Sequence, residues 1–163
     1  MQRTRSFIFW EKQLMRKKLM QQVIHSLFKV METMFSPMAE KQKTTKVPSQ
    51  AQPDPEEMKA CRITFSGSFS GTIFLEISVN LLTAMTQNFP GRDPGHPSEE
   101  LIEGLLKEAL NIIAGDTLTQ MDAASYTQLG LPEIVTSPCC DDMDETARFD
   151  TPNGSIAAHI KLA

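Results

Sequence analysis

The sequence predicts an α+β fold, with a mainly antiparallel sheet and helices packed on it, in the order α-β-β-α-α-β-β-β. Two runs of alternating apolar residues lie close together near residues 61–77. Two helical patterns follow between about residues 80 and 122, and further alternating runs fill the C-terminal part. Strands that occur in neighbouring groups, with helices gathered between the groups, favour α+β over a doubly wound sheet.

The first predicted helix runs from about Met15 to Phe35, where apolar residues recur at helical spacing. Residues 1–14 add nothing to that apolar stripe, and we interpret them as a frayed or disordered extension. Met15 and Met20 are both candidate start sites. Residues 15–163 are then expected to form one domain, interrupted at 36–57 by a polar segment with three prolines that is typical of a linker.

The first two strands form a predicted hairpin. The turn between them is Ser66-Gly-Ser-Phe-Ser-Gly71. Its Gly-Ser-Phe-Ser-Gly string is not a hydrolase nucleophile elbow, because it lies between two strands and its second serine is one position late. The three later strands are expected at about 133–136, 147–150 and 155–162. A Thr151-Pro-Asn-Gly154 turn connects the last two.

Two helices are predicted between these groups of strands. One runs from about Asn80, its expected N-cap, to Phe89. The other runs from Ser98, a plausible N-cap, to about Asp122. Acidic residues in its first turn suit the positive end of the helix dipole.

The second of these helices carries a polar stripe. At roughly 100° per residue, the stripe falls within a sector of about 80°. Its members are Glu100, Gly104, Glu108, Asn111 and Gly115. The opposite side is apolar and is expected to face the core. The residues predicted there are Leu101, Ile102, Leu105, Leu106, Ala109, Ile112 and Ile113. Solvated polar residues on the outer side of an amphipathic helix would give the same pattern. Asn and Gly are both unfavourable inside a helix, however, and this favours the alternative that another protein approaches the stripe closely.

Charge is divided unevenly along the chain. Residues 1–46 carry ten Lys/Arg against three Asp/Glu, a net +7, whereas residues 47–163 carry six against seventeen, a net −11. A basic arm of this kind sometimes binds nucleic acid or anionic lipid. No RNA-binding signature or helix-turn-helix spacing accompanies it, so we expect neither a nucleic-acid nor a membrane partner. No apolar run is long enough to cross a bilayer. The three cysteines predict a reducing, cytoplasmic location.

Residues for a self-contained active site are not apparent. Cys139-Cys140-Asp-Asp-Met-Asp-Glu145 has no second ligand pair for zinc and no calcium-loop spacing, and is interpreted as an exposed acidic loop. His25, His96 and His159 show no mutual spacing, and no Gly-rich phosphate loop is present. We therefore predict no metal site in this chain.

Glu108-Ala-Leu-Asn111, followed by Gly115, resembles the Glu-x-x-Asn signature of the CheC/CheX/FliY chemotaxis phosphatases, and CheX in particular. The similarity extends from about residue 20 to the C-terminus, broken by the linker. It includes the Thr33-Met34 element of the first helix, the Gly-bounded hairpin and a Leu-Pro strand opening at Leu131. Gly104 departs from the pattern, since many CheC-type sites have Asp or Ser there. The first helix has no Glu-x-x-Asn, which implies one site per chain.

The resemblance implies a CheC-like fold and hydrolysis of the aspartyl phosphate of a CheY-like response regulator. Asn111 would orient the attacking water, and Glu108 would pair with the regulator's active-site lysine. Gly104 and Gly115 would give the partner clearance. The resemblance also implies that Mg²⁺ is supplied by the regulator and that the chain forms a homodimer through sheet edges. A non-catalytic scaffold that binds a regulator or a flagellar-switch component is the alternative.

Overall fold

The computed structural model describes residues 2–35, 57–87, 95–121, 127–136 and 140–163, with backbone only at 2–8, 35 and 140. The predicted linker at 36–57, apart from Glu57, lies outside these residues. Three predicted boundaries also lie outside the described residues. They are the ends of the two central helices, at Phe89 and Asp122, and the start of the acidic loop, at Cys139.

The described strands form one six-stranded sheet, and its pairs are antiparallel, as the sequence predicted. They are β1 (Met58–Ser66), β2 (Gly71–Ser78), β3 (Gln128–Leu129), β4 (Glu133–Val135), β5 (Glu145–Thr151) and β6 (Gly154–Leu162). Their order is β3-β1-β2-β6-β5, and β4 also pairs with β1. The predicted hairpin is present, with Cys61 opposite Leu75 and Ile63 opposite Ile73. β3 was not predicted, because two residues are too few to show an alternating pattern.

Three helices accompany the sheet: α1 (Gln2–Phe35), α2 (Val79–Gln87) and α3 (Glu99–Met121). The Ser98 cap of α3 is confirmed, because its hydroxyl accepts a hydrogen bond from the amide of Leu101 at 3.3 Å. The Asn80 cap of α2 is wrong. The helix begins one residue earlier, and the hydroxyl of Ser78 accepts the amide of Leu81 at 3.4 Å.

The first helix is longer than predicted, since α1 begins at Gln2 and residues 2–14 are helical rather than a separate disordered extension. Residues 9–14 are all exposed, and burial in the core begins at Leu19. The apolar stripe therefore marked where α1 contacts the rest of the protein, and not where the helix begins. Within the described residues, no helix is both long and apolar enough to span a membrane.

The core lies between one face of the sheet and the three helices. Leu27 of α1, Leu82 of α2 and Leu106 of α3 are all essentially inaccessible, as are Ile73 and Ile160 of the sheet. Burial of each such side chain stabilises the fold by roughly 1.5–3 kcal/mol. α3 packs against α1 on one side and β1 on the other, so only a narrow strip of it remains exposed.

Candidate functional site

The exposed strip of α3 contains the polar residues that the sequence singled out. Glu108 and Asn111 are both exposed, one turn apart on the same side of the helix. Neither side chain has a hydrogen-bond or ion-pair partner in the described part of the chain. A carboxylate and an amide are thus presented to solvent, on a rigid element, with their bonding capacity unused.

Gly104 precedes Glu108 by one turn, and Gly115 follows Asn111 by one turn. Among the described residues, no atom lies within 4 Å of a Cβ placed on Gly104, and a Cβ on Gly115 meets only the Cδ1 of Leu129 at 4.0 Å. The fold itself therefore does not require glycine at either position. Each glycine costs a helix up to about 1 kcal/mol relative to alanine, and no close contact in the described part of the chain offsets that cost.

A groove between α1 and α3 borders the strip on one side. It has a volume of about 120 Å³ and is lined by Lys29, Val30, Thr33, Met34, Ile112 and Asp116. Ile112, which the sequence placed on the core side, is instead 43% exposed, and that prediction is wrong. Glu108, Ile112 and Asp116 follow one another at intervals of four residues, so they line up along one side of the helix. Ile112 therefore lies at the edge of the apolar face.

Polar contacts hold the two walls of this groove together. Asp116 of α3 accepts hydrogen bonds from the hydroxyl of Ser26 at 2.8 Å and from Nζ of Lys29 at 3.0 Å, both on α1. The buried Ser26 hydroxyl in turn accepts a hydrogen bond from Thr117 at 3.2 Å. The hydrogen bonds from Ser26 and then from Lys29 lower the pKa of Asp116. The spacing of α1 and α3 is therefore fixed beside the exposed strip.

The opposite side of the strip is bordered by β3 and β4. Leu129 reaches Gly115, and Leu131 in the following loop is 85% exposed. The start of α3 is tied to β1 because Lys59 binds both Glu99 and Glu103. These hydrogen bonds raise the pKa of Lys59 and lower that of Glu99. Between its two anchored sides, α3 presents the strip as a fixed ridge.

A second polar cluster lies on the sheet. His159 of β6, which has no exposed surface, contacts Glu76 of β2 through Nε2 at 2.8 Å and Thr146 of β5 through Nδ1 at 2.9 Å. No pattern in the sequence indicated this cluster, since its members come from three strands. Because the imidazole is fully buried and bonded at both nitrogens, we interpret the cluster as a link between strands and not as a reaction centre.

The acidic loop near the C-terminus is only partly as predicted. Asp141 and Asp142 are exposed, but Asp144 accepts the amide of Leu162 at 2.6 Å and pairs with Arg16 at 3.0 Å. Asp144 thus fastens α1 to the sheet. Among the residues that the structure describes, no three His, Cys, Asp or Glu side chains converge as a metal site would require.

Comparison with known proteins gives a consistent result. The family model described as "Chemotaxis phosphatase CheX" matches residues 60–139, which include most of β1 and all of β2, α2, α3, β3 and β4. A CheX chemotaxis protein from Vibrio vulnificus has a similar structure, with a TM-score of 0.67 and 16% identity over 89% of this chain and 96% of that one. No curated protein matches the sequence.

Two further solved structures are similar. A chemotactic CheC-like protein from Shewanella oneidensis has a TM-score of 0.64 at 18% identity, with 90% of this chain and 98% of that chain covered. A Borrelia burgdorferi CheX, solved as a CheX–CheY–BeF3–Mg complex, has a TM-score of 0.60 at 14% identity, with 88% and 96% covered. At these identities the structures show that the fold is shared.

Proposed function

This chain belongs to the CheX-like family, and on that premise we propose that it accelerates hydrolysis of the aspartyl phosphate of a CheY-like response regulator. One observation carries the proposal: Glu108 and Asn111, the residues of the Glu-x-x-Asn signature, are exposed together and lack partners among the described residues. A Borrelia burgdorferi relative of the same fold forms a complex with CheY, which supports the choice of partner.

In the proposed reaction, Asn111 enters the regulator's phosphorylation site and positions a water molecule. Its amide oxygen accepts a hydrogen bond from the water, while its NH₂ group donates to a phosphoryl oxygen. The water attacks phosphorus in line with the aspartyl oxygen, which leaves as the free carboxylate, and inorganic phosphate is released. Such positioning needs no nucleophile from this chain.

Glu108 is proposed to set the register of the complex. Its carboxylate, which has no partner among the described residues, lies one turn from Asn111, so an ion pair with the regulator's active-site lysine would place the amide over the phosphate. We assign Mg²⁺ to the regulator and not to this chain, as the resemblance implies. Gly104 and Gly115 then provide the clearance for the regulator's backbone.

The test is release of inorganic phosphate from phosphorylated CheY-like regulators of the same organism. We expect Asn111→Ala to reduce the acceleration at least about a hundredfold, because loss of one positioning group commonly costs that much. Binding should be largely retained. Glu108→Ala should mainly raise KM, by roughly tenfold, or about 1.4 kcal/mol.

Gln120→Ala is the matched control, since Gln120 is an exposed amide on the same helix but outside the strip. It should leave hydrolysis unchanged. Binding without any acceleration by the unsubstituted protein would favour the scaffold alternative. An active Asn111→Ala variant would exclude the proposed role of the amide.

We also propose that the chain is a homodimer that pairs through sheet edges. β5 is the last strand in the described sheet, and its outer edge pairs with no described strand. Unpaired edges are common sites of strand addition. Light scattering at several protein concentrations should give twice the monomer mass, and Arg148→Pro on this exposed edge should shift it toward the monomer. A monomer at all concentrations would refute this assembly.

A further inference from the structure

The groove between α1 and α3 shares one surface with the proposed catalytic strip. Ile112 follows Asn111 in the chain and is one turn beyond Glu108. A protein that contacts both of those residues therefore lies directly beside Ile112, and a contact surface only slightly broader reaches the mouth of the groove. The exposed part of Ile112 is apolar, in contrast to the polar strip beside it.

The groove is apolar where it is deepest and polar at its rim. Val30 is buried at its base, Met34 and Ile112 form its walls, and the ion pair of Lys29 and Asp116 lies at the edge. An engineered cavity of roughly 150 Å³ binds benzene, so the volume of about 120 Å³ suits one branched aliphatic or aromatic side chain.

The groove is also held open in the structure. Asp116 is fixed by Ser26 and Lys29, so α1 and α3 do not have to separate to admit a side chain. A preformed pocket beside a polar contact surface is typical of the anchor position in a protein interface. Because Ile112 adjoins Glu108 and Asn111, the protein that binds those two residues is the candidate to fill the groove.

We propose that this groove binds an apolar side chain from the surface of the response regulator next to its phosphorylation site, and that the fit selects among regulators. The inference rests on the proposed function. In this role Ile112 is a specificity residue that contacts the partner's apolar side chain, while Asn111 acts on the phosphoryl group.

The test uses the full-length protein and the regulators, each loaded with beryllofluoride and Mg²⁺ for binding, or phosphorylated for turnover. Ile112→Ser removes the apolar wall, and Thr33→Phe fills the mouth from the exposed side of α1. Both substitutions should raise the Kd for the loaded regulator and the KM for the phosphorylated regulator about tenfold, with kcat unchanged. Leu14→Ser is the matched control, because Leu14 is 71% exposed on the same helix and about 30 Å from Met34 along it.

The outcomes separate this inference from the proposed reaction. If Ile112→Ser and Thr33→Phe leave regulator binding unaffected, the proposal that the groove binds the regulator is refuted, whether or not phosphate is released. If binding depends on the groove but the unsubstituted protein releases no phosphate, the proposed binding role of the groove is supported and the proposed phosphatase activity is refuted. Failure to bind any regulator would overturn both.

Discussion

Replacing the two glycines of α3 by alanine should make the protein more stable and less active. Both lie within the helix, where alanine is favoured by up to about 1 kcal/mol. No atom of the residues that the structure describes lies within 4 Å of a Cβ at Gly104, and the nearest to one at Gly115 is at 4.0 Å, so these residues impose no steric penalty against that gain. The free energy of unfolding should therefore rise by up to about 1 kcal/mol for either single variant.

The double variant should show the sum of these gains. The glycines are about 16 Å apart along the helix, far enough for additive effects. A total of about 2 kcal/mol corresponds to an increase in Tm of roughly 4–8 °C for a chain of this size. Urea unfolding and calorimetry measure both quantities. Gly71→Ala is the control, because its Cβ would lie 2.5 Å from the carbonyl oxygen of Lys161, and it should destabilise the fold.

Activity should change in the opposite direction. If the glycines give the regulator clearance, an added methyl at the interface should raise KM for the phosphorylated regulator about tenfold, or about 1.4 kcal/mol. A more stable double variant with unaltered KM would refute the clearance argument. A less stable double variant would refute the conclusion that there is room for a methyl group at both glycines of α3.

Four further predictions concern the rest of the molecule. Ser26→Ala should lower the free energy of unfolding by about 1–3 kcal/mol in chemical denaturation, because it leaves Asp116 without its buried donor; an unchanged midpoint would contradict this. Because the pKa of Asp116 is lowered in the folded protein, its ionised carboxylate contributes stability at pH values above the ordinary aspartate pKa of about 3.9. That contribution is lost as the pH falls through the pKa of the folded state. Asp116→Asn should therefore make the free energy of unfolding depend less on pH in that acidic range. Burial raises the pKa of the Cys61 thiol to about 11, so with the other cysteines replaced by serine it should not react with a thiol reagent at pH 8 until the protein unfolds. Removal of residues 1–12 should change Tm by no more than about 2 °C, since residues 9–12 are exposed. A large decrease in Tm would show that the removed residues contact the rest of the protein. Salt-sensitive binding to nucleic acid or lipid that is lost with them would reveal a binding site there.

Several features were accessible from the sequence because they depend on local periodicity. The alternating patterns around Ile63 and Ile73 predicted the hairpin, and the Ser98 cap located the start of α3. The same helical spacing put Glu108 and Asn111 on one exposed side. These patterns repeat within a few residues, so no knowledge of distant contacts is needed.

Other features were decided only by tertiary packing. Ile112 is at the edge of the apolar face, and the position of α1 decides that it lines an exposed groove instead of entering the core. The pairing of Glu76 with His159 joins residues that are distant in the chain. By itself, then, the sequence determined the fold class and the polar strip on α3. The packing of α1 against α3 determined the shape of the surface beside that strip, because contacts between distant segments leave no periodic trace in the sequence.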